Sequence, residues 1–356
     1  MKLKLVLFTL VFLSNLLHLF GQVDKNKENK IISVEVPEVQ ELLYIIFAIS
    51  KEGVSDSILI NHNSDYYREV KIYFDKYKNE RIVTRIGGKV ARDHYQIQMD
   101  ATNYFFDENE RLIRNNKYNN LSWGKKDYLK NYISELENFS KKTNFRIFYK
   151  KNHQYYDSLI SLMQMQAPLD KQLFWLESRF SRKYNNIKVV FSPLNNGKHA
   201  TNYKLNDLII WVSKPLDKPS LSKPLIEAFS TRMLFTEIDH NYVNPISDLY
   251  LVKINKAFRK RDTWVAISKA SWYKNQYSVF NEYMTWSVFI LFAFDNYQDS
   301  DFVIIKNDIE DMMISYRGFH NFKAFNEKML ELYKNKTTTK LISDLYPDIL
   351  EWSAKQ

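Results

Sequence analysis

Apolar side chains recur at helical spacing along most of the chain. Between residues 37 and 50 they repeat every three to four positions, and Gly53 follows as a stop signal. A loop is predicted at Gly87-Gly88. The same spacing predicts further helices over 65–77, 127–142, 155–166, 169–182, 224–240, 247–260, 279–295, 301–316, 321–333 and near Leu350.

Two short runs depart from this pattern. Residues 187–191 and 205–212 are β-branched or apolar and flank the turn sequence Leu194-Asn195-Asn196-Gly197, which predicts a β-hairpin. Together the elements predict a mainly helical α+β fold with a small sheet. We divide the chain into a helical region, 22–165, and a second region, 166–356. The alternative is one continuous domain that begins near residue 31.

The first 21 residues have the pattern of a secretory signal peptide. Two lysines precede an apolar run over 5–20 that four polar residues interrupt, and Gly21 offers a small residue for cleavage. The run is too short and too interrupted for a transmembrane helix, so no stable membrane insertion is expected after cleavage. The chain has no cysteine, which excludes disulfides and a cysteine-linked lipid anchor. We therefore expect a soluble periplasmic or secreted protein.

The net charge is +10, but the way the basic side chains are distributed argues against a nucleic-acid partner. The basic side chains are interleaved with Asn, Ile and Tyr along the whole chain and form no block of like charge. No nucleic-acid partner is expected, because proteins that bind nucleic acids concentrate Lys and Arg in a patch or stripe. The chain has only 7 glycines and no Gly-x-Ser-x-Gly motif, so it also lacks the loops of phosphate-binding proteins and serine hydrolases.

The predicted helix 224–240 carries the candidate chemistry. Its apolar stripe of Ile226, Phe229 and Met233 continues at helical spacing into Glu237 and His240. A carboxylate that faces a core is desolvated unless it meets a cation, a donor or a metal. The alternative is an exposed helix end, where Glu237 meets water or a lysine.

A second carboxylate, Glu282, lies in the first turn of another predicted helix. That helix is apolar on nearly every side and so is expected to be buried, with Glu282 at the entrance to the core. Glu282 is a candidate metal ligand beside His240; the alternative is interaction with the helix N-terminus, with Ser278 or Asn281 as cap. Glu237 and Glu282 would also suit a glycosidase pair, whereas a di-iron site would need a second Glu-x-x-His motif.

Other polar side chains are expected near these residues. The asparagines after His240 alternatively end the helix, because Asn244-Pro245 favours a turn. Arg317-Gly318 is typical of a helix C-cap, and Arg317 alternatively binds a substrate carboxylate. Four side chains are candidates to orient His240 or to contact a substrate: Asp239, Tyr242, Asn244 and Tyr283. Five histidines lack ligand spacing and are expected at the surface or in the core: His62, His94, His153, His199 and His320.

The segment Thr236-Glu237-Ile238-Asp239-His240-Asn241-Tyr242-Val243-Asn244-Pro245 resembles the core motif of a bacterial family. The members are exported proteins grouped as a domain of unknown function, and they look like zinc metallopeptidases. Their motif reads roughly His-Glu-Phe-x-His-Ser-Phe-x-Asn-Pro, after a sheet and before a glutamate-bearing helix, and residues 36–42 and 67–74 also look similar. The resemblance implies a zincin-like fold for 166–356, with Glu237 as general base and zinc held by two histidines and a downstream acid.

The sequence departs from the family motif at Thr236, which stands at the first histidine. A threonine hydroxyl is a poor zinc ligand, so zinc binding is weak unless Asp239 or Glu282 replaces the lost imidazole, and Asp239 would need the helix end to unwind. We expect a metallopeptidase-like protein with a degenerate zinc motif, in which Glu237 is the potential base and His240 and Glu282 are the zinc ligands. The alternative is a non-catalytic protein that uses the former cleft to bind a peptide, a glycan or another envelope component.

Overall fold

The computed structural model describes residues 30–118, 127–216, 220–337 and 340–356. Within it, Ile32–Gln356 form one compact unit. The predicted signal peptide, residues 1–21, lies outside the described residues. Among the described residues, no helix is both long and apolar enough to cross a membrane.

The first part of this unit, as far as it is described, contains eight α-helices, of which the first is the most buried. They are α1 (Glu38–Ile49), α2 (Lys51–Ser55), α3 (Asp65–Phe74), α4 (Arg81–Ala101), α5 (Ile133–Thr143), α6 (Phe145–Lys151), α7 (His153–Gln166) and α8 (Leu169–Arg179). Every residue of α1 after Glu38 is buried. The sequence predicted α1, α3, α5, α7 and α8, whereas α2, α4 and α6 were not predicted.

The glycine-based predictions in this part of the chain were wrong. Gly53 does not end α1, which stops at Ser50; it lies within α2, where a Cβ would be 1.7 Å from the carbonyl oxygen of Phe47. The predicted loop at Gly87-Gly88 is helical, because α4 runs through it. A Cβ at Gly87 would lie 3.0 Å from that of Ser50, so this glycine serves close packing between α4 and α2.

A four-stranded mixed sheet has the order β1-β4-β6-β5. Its strands are β1 (Ile32–Glu35), β4 (Asn186–Phe191), β5 (Ala200–Lys204) and β6 (Asp207–Val212), and a separate hairpin pairs β2 (Tyr104–Phe106) with β3 (Leu112–Arg114). The sheet therefore takes strands from both sides of residue 166. Strands β1, β4 and β6 are parallel, and β5 is an antiparallel edge strand.

The predicted hairpin between 187–191 and 205–212 was wrong. Strand β4 pairs with β6 in parallel, and the hairpin joins β5 to β6 instead. All six residues of β6 are buried, as in the central strands of parallel sheets. The two turn residues, Leu205 and Asn206, have φ of 51° and 62°, which is the geometry of a tight two-residue hairpin turn.

Helices fill the rest of the unit, with α9 and α12 packed against each other. They are α9 (Lys223–Leu249), α10 (Leu251–Ala257), α11 (Arg261–Trp264), α12 (Gln276–Asn296), α13 (Asp299–Asp311), a π-helix (Met312–Tyr316), α14 (Phe322–Asn335) and α15 (Tyr346–Ser353). The protein is thus a mainly helical α+β protein with a small sheet, as predicted.

The predicted turn at Asn244-Pro245 was wrong, because α9 continues through Pro245 to Leu249. A proline inside a helix has no N–H to donate to the carbonyl four residues earlier, which here belongs to Asn241. The hydroxyl of Tyr184 donates to that oxygen at 2.9 Å. The lost backbone hydrogen bond is therefore replaced, and the helix carries its polar residues onward in regular geometry.

Candidate functional site

One stripe of α9 faces a cleft beside the sheet. The stripe predicted to face the core, from Ile226 to His240, is half-buried, whereas the core is filled by Leu234, Phe235 and Ile238 on the other side of the helix. Glu237 and His240 therefore lie where a ligand in the cleft would contact them.

Two cavities meet at Glu237 and together form the cleft. The larger, about 540 Å³, lies between β5 and α9 and reaches His240, Asn244 and Glu282. The smaller, about 460 Å³, reaches Arg232, Thr236 and Arg317. Four residues line both cavities: Tyr95, His199, Glu237 and Tyr273.

Glu282 reaches the cleft from the second turn of α12. The helix begins at Gln276, and its N-cap is Asn275, which forms a capping box with Ser278. The predicted position in the first turn was therefore wrong, as was Asn281 as a cap. The distance from the helix start rules out the N-terminus as the partner of Glu282, because that field fades within the first turn.

The partner of Glu282 is Arg317. One carboxylate oxygen, Oε2, accepts hydrogen bonds from Arg317 Nη2 at 2.7 Å and from Trp286 Nε1 at 3.2 Å. The other, Oε1, lies 3.6 Å from His240 Nε2. Burial alone would raise the pKa of Glu282, but Arg317 and then His240 hold it below its usual value, so the carboxylate is ionised at neutral pH.

A local distortion of the chain delivers Arg317 to this place. Its backbone N–H closes the π-helix by donating to Met312 at 3.0 Å, and π-helical turns are frequent at functional sites. Gly318 follows with φ of 79°, and a Cβ there would lie 3.0 Å from those of Ala266 and Lys269. The helix C-cap predicted at Arg317-Gly318 is therefore present. The guanidinium stacks 5.1 Å from the ring centroid of Trp286 and donates to the hydroxyl of Tyr273.

His240 is neutral in this surrounding. Burial lowers the pKa of His240, and the charge of Glu282 opposes this effect only in part. Its Nδ1 lies 3.3 Å from the hydroxyl of Thr285 on α12. The imidazole is thus fixed between a hydroxyl on one side and a carboxylate on the other.

Glu237 differs from Glu282 because its carboxyl group has no hydrogen-bond partner among the described residues. Burial, followed by the charge of Glu282, raises the pKa of Glu237 to about 8, and Arg317 opposes the shift. At pH 7 the group is therefore mostly protonated and can donate a hydrogen bond. Burial and Glu237 together raise the pKa of Tyr95 across the cleft.

The residues present do not fit the zinc ion that the sequence motif implies. The hydroxyl of Thr236 donates to the carbonyl of Arg232 at 2.9 Å, within its own helix, and Glu282 is bound to Arg317. Among the described residues, no group of three or more His, Cys, Asp or Glu side chains is arranged to hold a metal. Zinc sites use at least three protein ligands.

Of the other candidate residues, only Asn244 lines the cleft. Asp239 is fully buried, and neither of its carboxylate oxygens accepts a hydrogen bond of good geometry in the described structure. Because α9 does not unwind, Asp239 does not line the larger cavity, which His240 does. Burial, then Glu282 and Glu237, raise the pKa of Asp239 far above its usual value. Tyr242 packs against Tyr184, and the hydroxyl of Tyr283 donates to the carbonyl of Trp264.

Sequence reasoning missed several residues of the cleft. His199 was expected at the surface or in the core; it lines both cavities, contacts Ser213 at 3.0 Å, and has a pKa lowered by burial to about 4. Tyr95 comes from α4, which departs from helical geometry at Asp93. Tyr273 and Trp286 complete the aromatic wall. None of the four has a local motif, so only tertiary structure brings them together.

Comparison with known proteins assigns no family to this site. No protein-family model, no curated protein and no solved structure matches the chain. The resemblance of the segment 236–245 to a metallopeptidase motif therefore stays a prediction, and the site is interpreted from its own geometry.

Proposed function

We propose that the protein is a metallopeptidase-like protein whose cleft binds an extended peptide and does not hydrolyse it. A zincin-like arrangement of the region 166–356 is part of the proposal. The observation that carries it is the ion pair between Arg317 and Glu282, which faces His240. A guanidinium neutralises the carboxylate that would bind the metal in an active relative, so the charge balance of the site is kept without a metal.

The edge strand β5 supports a peptide as the ligand. Because a two-residue turn joins β5 to β6, its closing pair, Lys204 and Asp207, is hydrogen-bonded, and so is every second pair beyond it. Thr201 falls between such pairs, so its N–H and C=O point away from β6 at the edge of the sheet, and the residue lines the larger cavity. An extended peptide pairs with such an edge through main-chain hydrogen bonds.

The protonation state of Glu237 supports binding without hydrolysis. A general base must be ionised to take a proton from water, and the pKa of Glu237 lies near 8. As a neutral acid, Glu237 donates a hydrogen bond to a peptide carbonyl in the cleft. If the predicted signal peptide directs export, this peptide is a component of the cell envelope or its surroundings.

The edge strand provides a sharp test of peptide binding. Thr201→Pro removes the N–H that pairs with the ligand, whereas Thr201→Val keeps it and loses only the hydroxyl that accepts a bond from Asn241 at 2.8 Å. We expect Thr201→Pro to weaken binding by about tenfold, the worth of one good hydrogen bond, and Thr201→Val by less than about threefold. Fluorescence anisotropy of a pool of N-terminally fluorescein-labelled pentapeptides measures this. Absence of saturable binding to the unaltered protein would refute the proposal.

A further inference from the structure

The two cavities of the cleft differ in charge. The smaller cavity is lined by two guanidinium groups, Arg232 and Arg317, and by one carboxyl group, Glu237. The larger cavity is lined by the carboxyl groups of Glu237 and Glu282, and by no lysine or arginine among the described residues. The lining of the smaller cavity thus carries more guanidinium groups than carboxyl groups, even when Glu237 is ionised.

Both arginines are held from outside the smaller cavity. Arg232 donates to Asp308 at 2.7 Å and Arg317 to Glu282 at 2.7 Å, and neither carboxylate is among the residues that line this cavity. Each guanidinium also lies over an aromatic ring, at 5.2 Å from Phe229 for Arg232 and 5.1 Å from Trp286 for Arg317.

This anchoring leaves both guanidiniums able to bind a further anion. An arginine carries five N–H donors in a rigid fork, and the contacts above engage only part of them. Groups that are fixed before a ligand arrives lose little conformational entropy on binding. The remaining walls add neutral polar side chains, among them Asn196 and Ser213.

We propose that the smaller cavity binds a carboxylate group of the peptide ligand, contacted by Arg232 and Arg317. This inference rests on the proposed binding of a peptide along β5, and it names the chemical class of that peptide. The carboxylate comes either from the free C-terminus or from an Asp or Glu side chain. Paired N–H donors of a guanidinium match the two oxygens of a carboxylate in both cases.

Three pools of N-terminally fluorescein-labelled pentapeptides test the inference. The first lacks Asp and Glu and has free C-terminal carboxylates, the second is the same pool with C-terminal amides, and the third is amidated with one Glu in each peptide. We expect the first pool, the third pool or both to bind about tenfold tighter than the second, and the pattern identifies the source of the carboxylate. Equal binding of all three pools would overturn the inference and leave peptide binding intact; no binding of any pool would overturn both.

Substitution of the arginines assigns the preference to the cavity. Asp308, the partner of Arg232, is half-exposed to water, so the fold tolerates Arg232→Gln. We expect this substitution to reduce the preference for carboxylate pools by about tenfold. Arg146→Gln is the matched control. Arg146 donates to Glu38 at 2.8 Å and lies over Phe106, with 21% of its side chain exposed against 24% for Arg232, but it lies outside the cleft. A full preference retained in Arg232→Gln, or an equal loss in Arg146→Gln, would overturn the assignment.

Discussion

Glu41 on α1 and Glu237 on α9 are both carboxyl groups with raised pKa, and their surroundings differ. Glu41 is fully buried, and the hydroxyl of Tyr66 donates to it at 2.7 Å; burial raises its pKa to about 7. Glu237 is half-buried, has no such donor in the described structure, and lines both cavities of the cleft. Its pKa is raised to about 8.

The two groups differ in what they face, because Glu41 is enclosed and Glu237 lines an opening. Tyr66 also contacts Tyr156, whose hydroxyl lies 2.6 Å away, so Glu41 belongs to a closed polar cluster between α1, α3 and α7. Glu237 instead owes part of its shift to Glu282, a charge held in place across the cleft by Arg317. A ligand can enter between these groups, and it would change the surroundings of Glu237 but not those of Glu41.

Introducing metal ligands should have the largest effect, a gain in zinc affinity that is confined to the cleft. The 3.6 Å between His240 Nε2 and Glu282 Oε1 is close to the separation of two ligands that share one zinc ion, about 3.4 Å for bonds near 2 Å. We expect Thr236→His with Arg317→Gln to bind zinc about a thousandfold more tightly than the unaltered protein, measured by competition with a chelating dye.

The matched control for this gain is Thr236→Gln with Arg317→Gln, which frees Glu282 in the same way but adds no imidazole. Zinc affinity should stay near that of the unaltered protein. Equal affinities of the histidine and glutamine variants would contradict a zincin-like geometry of α9 and α12.

Removal of the fixed cation should lower stability next most. Arg317→Gln leaves Glu282, with 10% of its side chain exposed, without its charge partner, and we expect the free energy of unfolding to fall by about 3 kcal/mol. Arg146→Gln breaks a similar pair with Glu38, whose side chain is 20% exposed and keeps more water, so a loss of about 1 kcal/mol is expected. Urea unfolding at pH 7 measures both. Equal losses would show that the Arg317 pair has no special place in the cleft.

The pH dependence of stability should separate the two acids. The folded pKa of Glu41, about 7, exceeds its ordinary value of 4.5, so the folded state holds the proton more tightly and loses stability as the pH rises between these values. The free energy of unfolding of Glu41→Gln, relative to that of the unaltered protein, should therefore rise by about 3 kcal/mol between pH 4.5 and pH 7. It should not rise further above pH 7.

For Glu237→Gln the rise in the free energy of unfolding should continue to about pH 8, the pKa of Glu237. The rise should be smaller, because water reaches Glu237 in the cleft and screens its charge. Urea unfolding at pH 4.5, pH 7 and pH 8.5 measures both variants. Both measurements are repeated with a saturating carboxylate peptide pool. The pool should change the difference in pH profile between Glu237→Gln and the unaltered protein, and it should leave the difference for Glu41→Gln unchanged. A pH profile of Glu41→Gln parallel to that of the unaltered protein would refute the account of the closed cluster.

The smallest effect is expected at the glycine that orients Arg317. Gly318→Ala places a Cβ in a backbone with φ of 79° and 3.0 Å from two other Cβ atoms, and we expect a loss of about 1–2 kcal/mol in the free energy of unfolding. Gly197→Ala is the control, since its new Cβ would meet atoms only at 3.7 Å and beyond; a change within about 0.5 kcal/mol is expected. Equal changes would contradict the strained geometry after the π-helix.

Much of the helical framework could be predicted from the sequence, because amphipathic periodicity is a local property. The motif also singled out Glu237 and His240, and the apolar character of α12 drew attention to Glu282; the structure brings these three to one cleft. The strand pairing could not be predicted in the same way. Strands β4 and β6 are neighbours in the sheet, whereas β5 lies between them in the sequence. Because the chain passes through β5 before it forms β6, β4 and β6 are parallel.

The partners of the three residues had no local signature. Arg317 appears in the sequence as a helix end, and only the π-helix and the left-handed Gly318 direct it to Glu282. The carbonyl of Asn241, which Pro245 leaves without a helical donor, is bound by the hydroxyl of Tyr184 from the segment before β4. These features depend on contacts between distant segments, and a single sequence does not reveal them.

Mass spectrometry of a peptide pool separates binding from hydrolysis in one experiment. The protein and the carboxylate pentapeptide pool are incubated at equal concentrations in a buffer that contains zinc, and the bound and free fractions are then sequenced. We expect the peptides to be enriched on the protein and recovered intact. Cleavage products that form with the unaltered protein and disappear with Glu237→Gln would contradict this expectation.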